Sequence, residues 1–440
     1  MENTAYPVKF LVLIVILGTI VQTQQYLFGY IAAGSSMLDD TDTSLYEYGF
    51  LSGPTILLVN ALLVLPIGRL VDYIKRPKWF VLSCSISICL ITLLNSICEN
   101  FYELLSVRLM FGIFACGISP TYMRLLALYF PSKKRGFASG FLFLTIYFGI
   151  SLASLSLILA ESVGWRWSYV LIGSISLVLT IIFGLFLRDI KNNAKLSRFT
   201  NEQILKSDIL SLFKNKTLIF TILALFFQYI SGFARSFYEA IYFAEKFSDN
   251  VDVYAVLNAI GILISPIAPI LLGKYSDSKQ DSDPKWQPLI IAITRFMYIP
   301  LLFPMYLSSN FAIAMLSMML ISTIGETYIS VSYAILINVA NPNVWAFQTA
   351  WMICVTTIAG TISTVIIGFY YTSLEALKVS LLIATVFGSA MAAIMFLVVA
   401  KFYPEDLKKQ KECRKEIDEE LVNQSEIAEE LINQNESSIG

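Results

Sequence analysis

The sequence has 440 residues, of which 56% are hydrophobic and 14% charged, and its formal net charge is −1. Soluble domains average about a quarter charged residues, so this composition excludes a protein surrounded by water and predicts one embedded in a lipid bilayer. The near-neutral charge argues against a nucleic-acid partner, and the lack of histidine removes the commonest metal ligand and general base.

Twelve apolar runs are long enough to be transmembrane helices, which need about 20 residues each, and we number them spans 1 to 12. They cover residues 10–33, 48–71, 79–99, 103–130, 137–160, 167–187, 217–243, 252–273, 288–307, 310–340, 344–371 and 377–401. The first run is too long for the core of a signal peptide, so we expect it to be span 1 and not a cleaved leader.

Basic residues favour every second loop. The segment between spans 1 and 2 carries four acidic residues and no Lys or Arg, whereas the segments after spans 2, 4 and 6 are basic. The positive-inside rule therefore places both termini in the cytoplasm, in a membrane that the sequence does not identify.

The predicted fold is an all-α membrane protein with twelve transmembrane helices in two pseudo-symmetric six-helix bundles. Residues 1–187 form the N-terminal bundle, 188–216 a cytoplasmic link, 217–403 the C-terminal bundle and 404–440 a charged cytoplasmic tail. The tail repeats itself, since Glu419–Gln424 is echoed ten residues later, and is interpreted as a solvated helix, as disorder or as a helix for a partner.

Two short motifs stand at matching places in the halves, which is typical of a duplicated transporter. Gly68-Arg69-Leu70-Val71-Asp72 ends span 2, and Gly273-Lys274-Tyr275-Ser276-Asp277 ends span 8. With the basic segment 131–140 before span 5, these motifs resemble the major facilitator superfamily over residues 8–403.

That resemblance implies two bundles that rock about a central cavity, with a latch at the cytoplasmic side. In the family the motif aspartate lies by the N-terminus of span 11, where free N–H groups favour a carboxylate; here that helix is expected to open near Asn343. The latch residues are then Gly68, Asp72, Arg76, Arg135, Gly273 and Asp277. Lys75 stands where the family usually has a glycine.

Within the superfamily the chain resembles Spinster-like transporters. The similarity rests on Arg108 at the opening of span 4, on Ser119-Pro120 and on Gly164-Trp165-Arg166-Trp167 before span 6. The acidic-basic pair usual in the first span of that group is replaced by Gln22-Thr23-Gln24-Gln25.

Four ionisable residues lie inside spans 4, 7 and 10, which with span 1 line the cavity in the family that the chain resembles: Arg124, Arg235, Glu239 and Glu326. A charge at the centre of a span costs at least ~2.5 kcal/mol, so these side chains are expected to face the cavity. Candidate substrate-binding residues are Gln22, Gln25, Arg124, Arg235 and Tyr328, and candidate proton-coupling residues are Glu239 and Glu326.

Each charge has an alternative role. Glu326 is either a carboxylate that titrates near neutral pH or a permanently paired structural charge. Arg235 and Glu239 are four residues apart and can neutralise each other, and Arg124 can extend to the membrane surface. Arg295 lies on span 9, which is expected to be peripheral, so its side chain is predicted to snorkel inward. The aromatic residues of span 7 either pack or form an aromatic substrate pocket.

The sequence thus predicts a monomeric secondary active transporter for a small organic solute or amphiphile, anionic or zwitterionic, that works by alternating access and with proton coupling. The alternative is a non-transporting receptor or scaffold that acts through its tail. An enzyme is not expected, because no nucleophile–base set or phosphate loop is visible, and neither a cofactor nor a metal is predicted. The six cysteines are interpreted as small buried residues.

Overall fold

The structure, a computed structural model, describes residues 6–129, 132–187, 215–280, 283–339 and 345–437. Side chains of some helical residues, including those of 132–141, 345–350 and 413–437, lie outside this description. Within it, twelve helices are long and apolar enough to cross a membrane, which confirms the predicted count.

Apart from the last helix, which runs well past its predicted end, the helices begin and end within several residues of the predicted bounds. In the first half they are Tyr6–Ala33, Leu45–Ser52 with Pro54–Tyr73, Pro77–Leu94, Phe101–Ala115 with Ile118–Tyr129, Ser132–Val163 and Trp165–Phe186. In the second half they are Lys216–Lys246, Val251–Ile264 with Ile267–Gln280, Trp286–Leu307, Phe311–Gly325 with Thr327–Val339, Trp345–Tyr370 and Leu374–Ser437.

Spans 2, 4, 8 and 10 are each interrupted near the middle or the outer third. In span 2 the second segment starts at Pro54, and in span 8 it follows Pro266; proline lacks the N–H that would continue the helix. Span 10 is interrupted at Glu326, between Gly325 and Thr327, without a proline. Non-helical backbone at membrane depth is tolerated only where protein buries it or where it lines a cavity, so these interruptions are expected to face other helices or a cavity.

Packing within each half is dense. Span 1 packs against span 5, and span 7 packs against spans 11 and 12. Glycine permits the closest approach of spans 1 and 5, because a Cβ placed on Gly149 would lie 2.4 Å from Cβ of Gln22. Small residues at helix contacts are the usual means of bringing transmembrane backbones together.

The two bundles meet mainly at the face opposite the termini, which we call the far face. There the Tyr48 hydroxyl donates to the Phe237 carbonyl over 2.7 Å, joining span 2 to span 7. The Asn258 amide donates to the Tyr30 hydroxyl and to the Ser154 hydroxyl, each over 2.9 Å, and joins span 8 to spans 1 and 5. These bonds between described residues close the far face.

Several predicted features lie outside the described residues: the link over 188–214, the segment 340–344 with Asn343, the surroundings of Gly68, and the side chains of Asp72, Arg135 and Asp277. The latch therefore stays a prediction, of which the structure describes only the exposed Arg76 and the half-buried Gly273.

The last helix runs through the predicted end of the bundle at residue 403 and on to Ser437. Asp406 accepts a hydrogen bond from the Thr217 backbone N–H over 3.1 Å, and Leu407 is buried. The first turns of the predicted tail thus belong to the C-terminal bundle, where Asp406 satisfies a free N–H at the start of span 7.

Candidate functional site

A cavity of about 240 Å³ lies between the two bundles. Spans 1 and 5 supply its N-terminal wall, including Tyr26, Tyr30 and Tyr147, and spans 7 to 10 supply the rest. The far-face bonds described above lie beyond one side of it. A polar cavity at the interface of two repeats is where membrane carriers hold their substrates.

Two of the four charged residues predicted from sequence form an ion pair in the cavity wall. Nε of Arg235 lies 2.5 Å from Oε2 of Glu239, and Nη2 lies 3.2 Å from Oε1, so the pair is bidentate. Arg235 also donates to the Tyr298 hydroxyl over 3.4 Å. The charge of Arg235 is therefore balanced within its own helix.

Glu326 lines the same cavity, at the interruption of span 10. Tyr147 of span 5 lines the cavity as well, so Glu326 of one bundle and this tyrosine of the other share the cavity wall and interact electrostatically. A carboxylate at the wall between two bundles is placed to respond to movement between them.

Arg295 also lines the cavity, so its side chain extends inward, which is the direction predicted for it. Its side chain is 0% exposed and points inward, where Nη2 donates to the Gly325 carbonyl. That carbonyl is freed by the interruption of span 10 at Glu326, because the helical bond it would otherwise accept is missing. The long side chain allows a residue of a peripheral span to reach the centre of the bundle.

Aromatic rings hold the Arg295 guanidinium from two directions. Its carbon lies 5.1 Å from the ring centre of Tyr298 and 4.9 Å from that of Tyr328. Such cation–π contacts orient the planar group as well as stabilise its charge. Tyr328, a predicted substrate-binding residue, therefore lies in the cavity wall beside an arginine that the sequence reasoning did not select.

The other predicted substrate-binding residues are placed elsewhere. The described cavity wall contains neither Gln22 nor Gln25 nor Arg124. Gln22 instead packs against Gly149 of span 5, and Arg124 lies half-buried toward the other end of span 4. The neighbouring Gln24, which was not selected, is buried and accepts a hydrogen bond from Thr92 over 2.5 Å.

The aromatic residues of span 7 divide between the cavity wall and the packed interior. Tyr229 and Phe233 line the cavity, whereas Tyr238 and Tyr242 are buried and donate to the carbonyls of Thr364 and Tyr306. Sequence reasoning missed Tyr147, Tyr254, Asn258 and Tyr298. Of these only Tyr298 carried a signal, since it lies three residues after Arg295 on one helical face.

The sequence matches the Major Facilitator Superfamily over residues 14–343. It is 29% identical over 219 residues to an "Uncharacterized transporter" of Buchnera aphidicola subsp. Schizaphis graminum, covering 48% of this chain and 52% of that protein. It is 26% identical over 129 residues to the "Probable sulfoacetate transporter SauU" of Cupriavidus necator, covering 29% of this chain and 30% of that protein. The chain thus spans about half or less of the curated relatives it matches.

Solved structures show the same fold. A bacterial homologue of the human lysosomal transporter Spinster, in an inward-facing and unoccupied conformation, superposes with a TM-score of 0.73 at 16% identity over 93% of this chain and 99% of that chain. A D-xylose–proton symporter superposes with a TM-score of 0.63 at 13% identity over 90% and 97%. The fold, the twelve spans and the match over residues 14–343 agree, and this multi-pass membrane protein belongs to the major facilitator superfamily.

Proposed function

We propose that this protein is a secondary active transporter, and not an enzyme, that moves a small anionic or zwitterionic organic solute through the cavity between its bundles. The observation that carries the proposal is the cavity itself, which lies between the two halves and holds Arg235, Glu239, Arg295 and Glu326. Four ionisable groups at membrane depth are costly, and a charged solute path gives them a role. The similarity to a protein named for sulfoacetate, an organic anion, supports the anionic class.

The volume of the cavity favours a small solute over a lipid. About 240 Å³ is less than the roughly 300–1,000 Å³ of pockets that hold drug-sized ligands. An amphiphile with a long acyl chain would need a larger or open-sided site, so the cavity favours a small organic solute over an amphiphile.

Alternating access is supported by the closed far face. If the basic loops place the termini in the cytoplasm, the bonds of Tyr48 and Asn258 close the outer side, and the cavity faces inward. The inward-facing Spinster homologue has the same fold. Opening of the far face requires these bonds to break while the latch predicted around Asp72 and Asp277 forms. A monomer contains the whole cavity, so we propose that it is the transporting unit.

We assign proton coupling to Glu326, because its carboxylate lies in the cavity wall between the bundles, together with Tyr147 of the other bundle. Protonation of Glu326 removes this charge and changes the strength of its interaction with Tyr147. The proton state would thereby bias the equilibrium between the two conformations.

The test uses purified protein in liposomes with two measurements. Solute counterflow, without any ion gradient, reports transport itself, and accumulation driven by an imposed pH gradient reports coupling. We expect Glu326→Gln to retain counterflow and to lose gradient-driven accumulation about tenfold, while Glu161→Gln, at an exposed carboxylate near the far face, changes neither.

Gradient-driven accumulation that is unchanged in Glu326→Gln would rule out the coupling role. Absence of counterflow for every anion tested in wild-type protein would instead favour the receptor or scaffold. A deletion separates that alternative, and it should remove residues 413–440 only, because Asp406 and Leu407 belong to the bundle. A transporter keeps its flux after this deletion, whereas a scaffold loses its cytoplasmic partner.

A further inference from the structure

Arg295 differs from the other charged residues of the cavity, because its position on span 9 and its contacts leave part of its binding capacity unused. We propose that Arg295 binds the carboxylate of the transported solute and that this solute is a small aromatic acid with a hydrogen-bond donor on its ring. The proposal rests on the proposed function in taking the cavity as the solute path, and it names the residue and the chemical class.

The Arg295 guanidinium uses only part of its hydrogen-bonding capacity. An arginine has five N–H donors. Nη2 of Arg295 donates to the Gly325 carbonyl, but Nε and Nη1, which carry three of the five N–H groups, have no hydrogen-bond partner among the described residues. Arg295 is 0% exposed and lines the cavity, so these N–H groups lie just behind its wall, and a small shift of the side chain brings them to whatever occupies it.

The two cavity arginines differ in whether a carboxylate balances their charge. Arg235, the other cavity arginine, makes a bidentate ion pair with Glu239. Glu326 interacts with Arg295 electrostatically but forms no ion pair with it in the described structure. A buried guanidinium without a paired carboxylate is costly, and an oxyanion of the solute supplies the missing partner.

The cavity wall is rich in aromatic side chains, which indicates an aromatic ring in the solute. Seven tyrosines and one phenylalanine line the cavity, and Tyr298 and Tyr328 flank the guanidinium itself. An aromatic ring packs on such a wall in offset or edge-to-face geometry. The small volume restricts the ligand to a compact ring.

A second polar atom of the same cavity wall, without a partner among the described residues, indicates the hydrogen-bond donor that we propose for the ring of the solute. Gln228 is 3% exposed and lines the cavity, and its Oε1 atom accepts no hydrogen bond from the described residues. A hydroxyl or amino group on the ring of the solute satisfies this acceptor, just as its carboxylate satisfies Arg295. A site built with unpaired polar groups discriminates strongly against ligands that lack the complementary ones.

The experiment measures binding of 4-hydroxybenzoate to the purified full-length protein by ligand-dependent thermal stabilisation, with 4-hydroxybenzamide and benzoate as matched probes. In wild-type protein we expect 4-hydroxybenzoate to bind about tenfold more tightly than the uncharged amide, and benzoate to bind more weakly because Gln228 stays unpaired.

Arg295→Met is expected to weaken 4-hydroxybenzoate binding about 10- to 100-fold and to leave amide binding unchanged. Arg295→Lys keeps the charge without the planar group, so a smaller loss of at least about threefold is expected. Arg124→Met, at a half-buried arginine outside the cavity wall, is the control and should bind as wild type does. Monodisperse elution confirms that each variant is folded.

Equal binding of acid and amide in wild-type protein, or undiminished acid binding in whichever Arg295 variant folds, would overturn the proposal. The counterflow assay keeps this result separate from the proposed function. Loss of binding in Arg295→Met by a protein without counterflow supports the site and contradicts transport, whereas normal counterflow of another anion with no role for Arg295 supports transport and contradicts the site.

Discussion

The N-terminal and C-terminal bundles each contain a buried arginine that donates to backbone carbonyls at a helix interruption. The two arginines differ in how many of their nitrogens form these bonds. Arg108 of span 4 donates from Nε to the Leu51 carbonyl over 3.1 Å and from Nη2 to the Ser52 carbonyl over 3.2 Å. These carbonyls precede the interruption of span 2 at Gly53. Arg295 serves the Gly325 carbonyl of span 10 with a single nitrogen.

The surroundings of the two arginines match this difference. Arg108 lies over the Phe28 ring, with its guanidinium carbon 4.3 Å from the ring centre, and its bonds go to helix ends that pack at the far face. Arg295 lies at the cavity and keeps two nitrogens without a partner among the described residues. A buried arginine whose donors are used by the backbone stabilises the fold, and one with donors left at a cavity is able to bind a ligand.

The largest expected effect is on stability. Arg108→Met leaves two buried carbonyls without their donors and should lower the free energy of unfolding by about 2–3 kcal/mol. Arg295→Met removes one such bond but also an incompletely paired buried charge, so its effect should stay within about 1 kcal/mol of zero. Thermal unfolding of both variants in the same detergent measures the difference, with Lys409→Met at an exposed residue as the control. Equal destabilisation by the two buried substitutions would refute the division of roles.

A smaller effect should appear when Arg235 is released from its partner. Glu239→Gln removes the carboxylate that neutralises Arg235, so the cavity gains a second arginine able to attract an anion. The affinity for 4-hydroxybenzoate should rise at least about threefold through added Coulomb attraction. In the double variant Arg235→Gln/Glu239→Gln the affinity should return to the wild-type value. A reduced affinity in Glu239→Gln would show that this glutamate itself contacts the solute.

The smallest expected effect concerns Asp40 at the far face and its contacts with Trp165, Ser36 and Arg166. The Trp165 indole N–H donates to Asp40 over 2.7 Å, and with the Ser36 hydroxyl and the Arg166 guanidinium it holds the pKa of that carboxyl below its usual range. The stabilisation is present above the unfolded-state pKa and is lost as the pH falls through the lowered folded-state pKa. Acidification should therefore lower the melting temperature more in wild-type protein than in Asp40→Asn. Parallel pH profiles would exclude a stabilising role for this contact.

Much of the fold follows from the sequence alone. Apolar runs of about 20 residues have only one stable backbone form in lipid, so the number of spans was predicted and confirmed. The motifs ending at Asp72 and Asp277 indicated a duplicated architecture and the superfamily, and the match over residues 14–343 shows the superfamily. The same cost of charge in lipid directed attention to Arg235, Glu239 and Glu326, and all three line the cavity.

Tertiary structure decided which of the polar residues meet. Arg124 and Arg295 look alike in sequence, since each is an arginine inside an apolar run, yet only Arg295 lines the described cavity. The reason is that the interruption of span 10 frees the Gly325 carbonyl, and a side chain from span 9 is long enough to reach it. The pairing of Arg235 with Glu239, by contrast, follows from a four-residue spacing. Local spacing is visible in a sequence, whereas the helix interruption and the reach of a neighbouring span depend on how the helices pack.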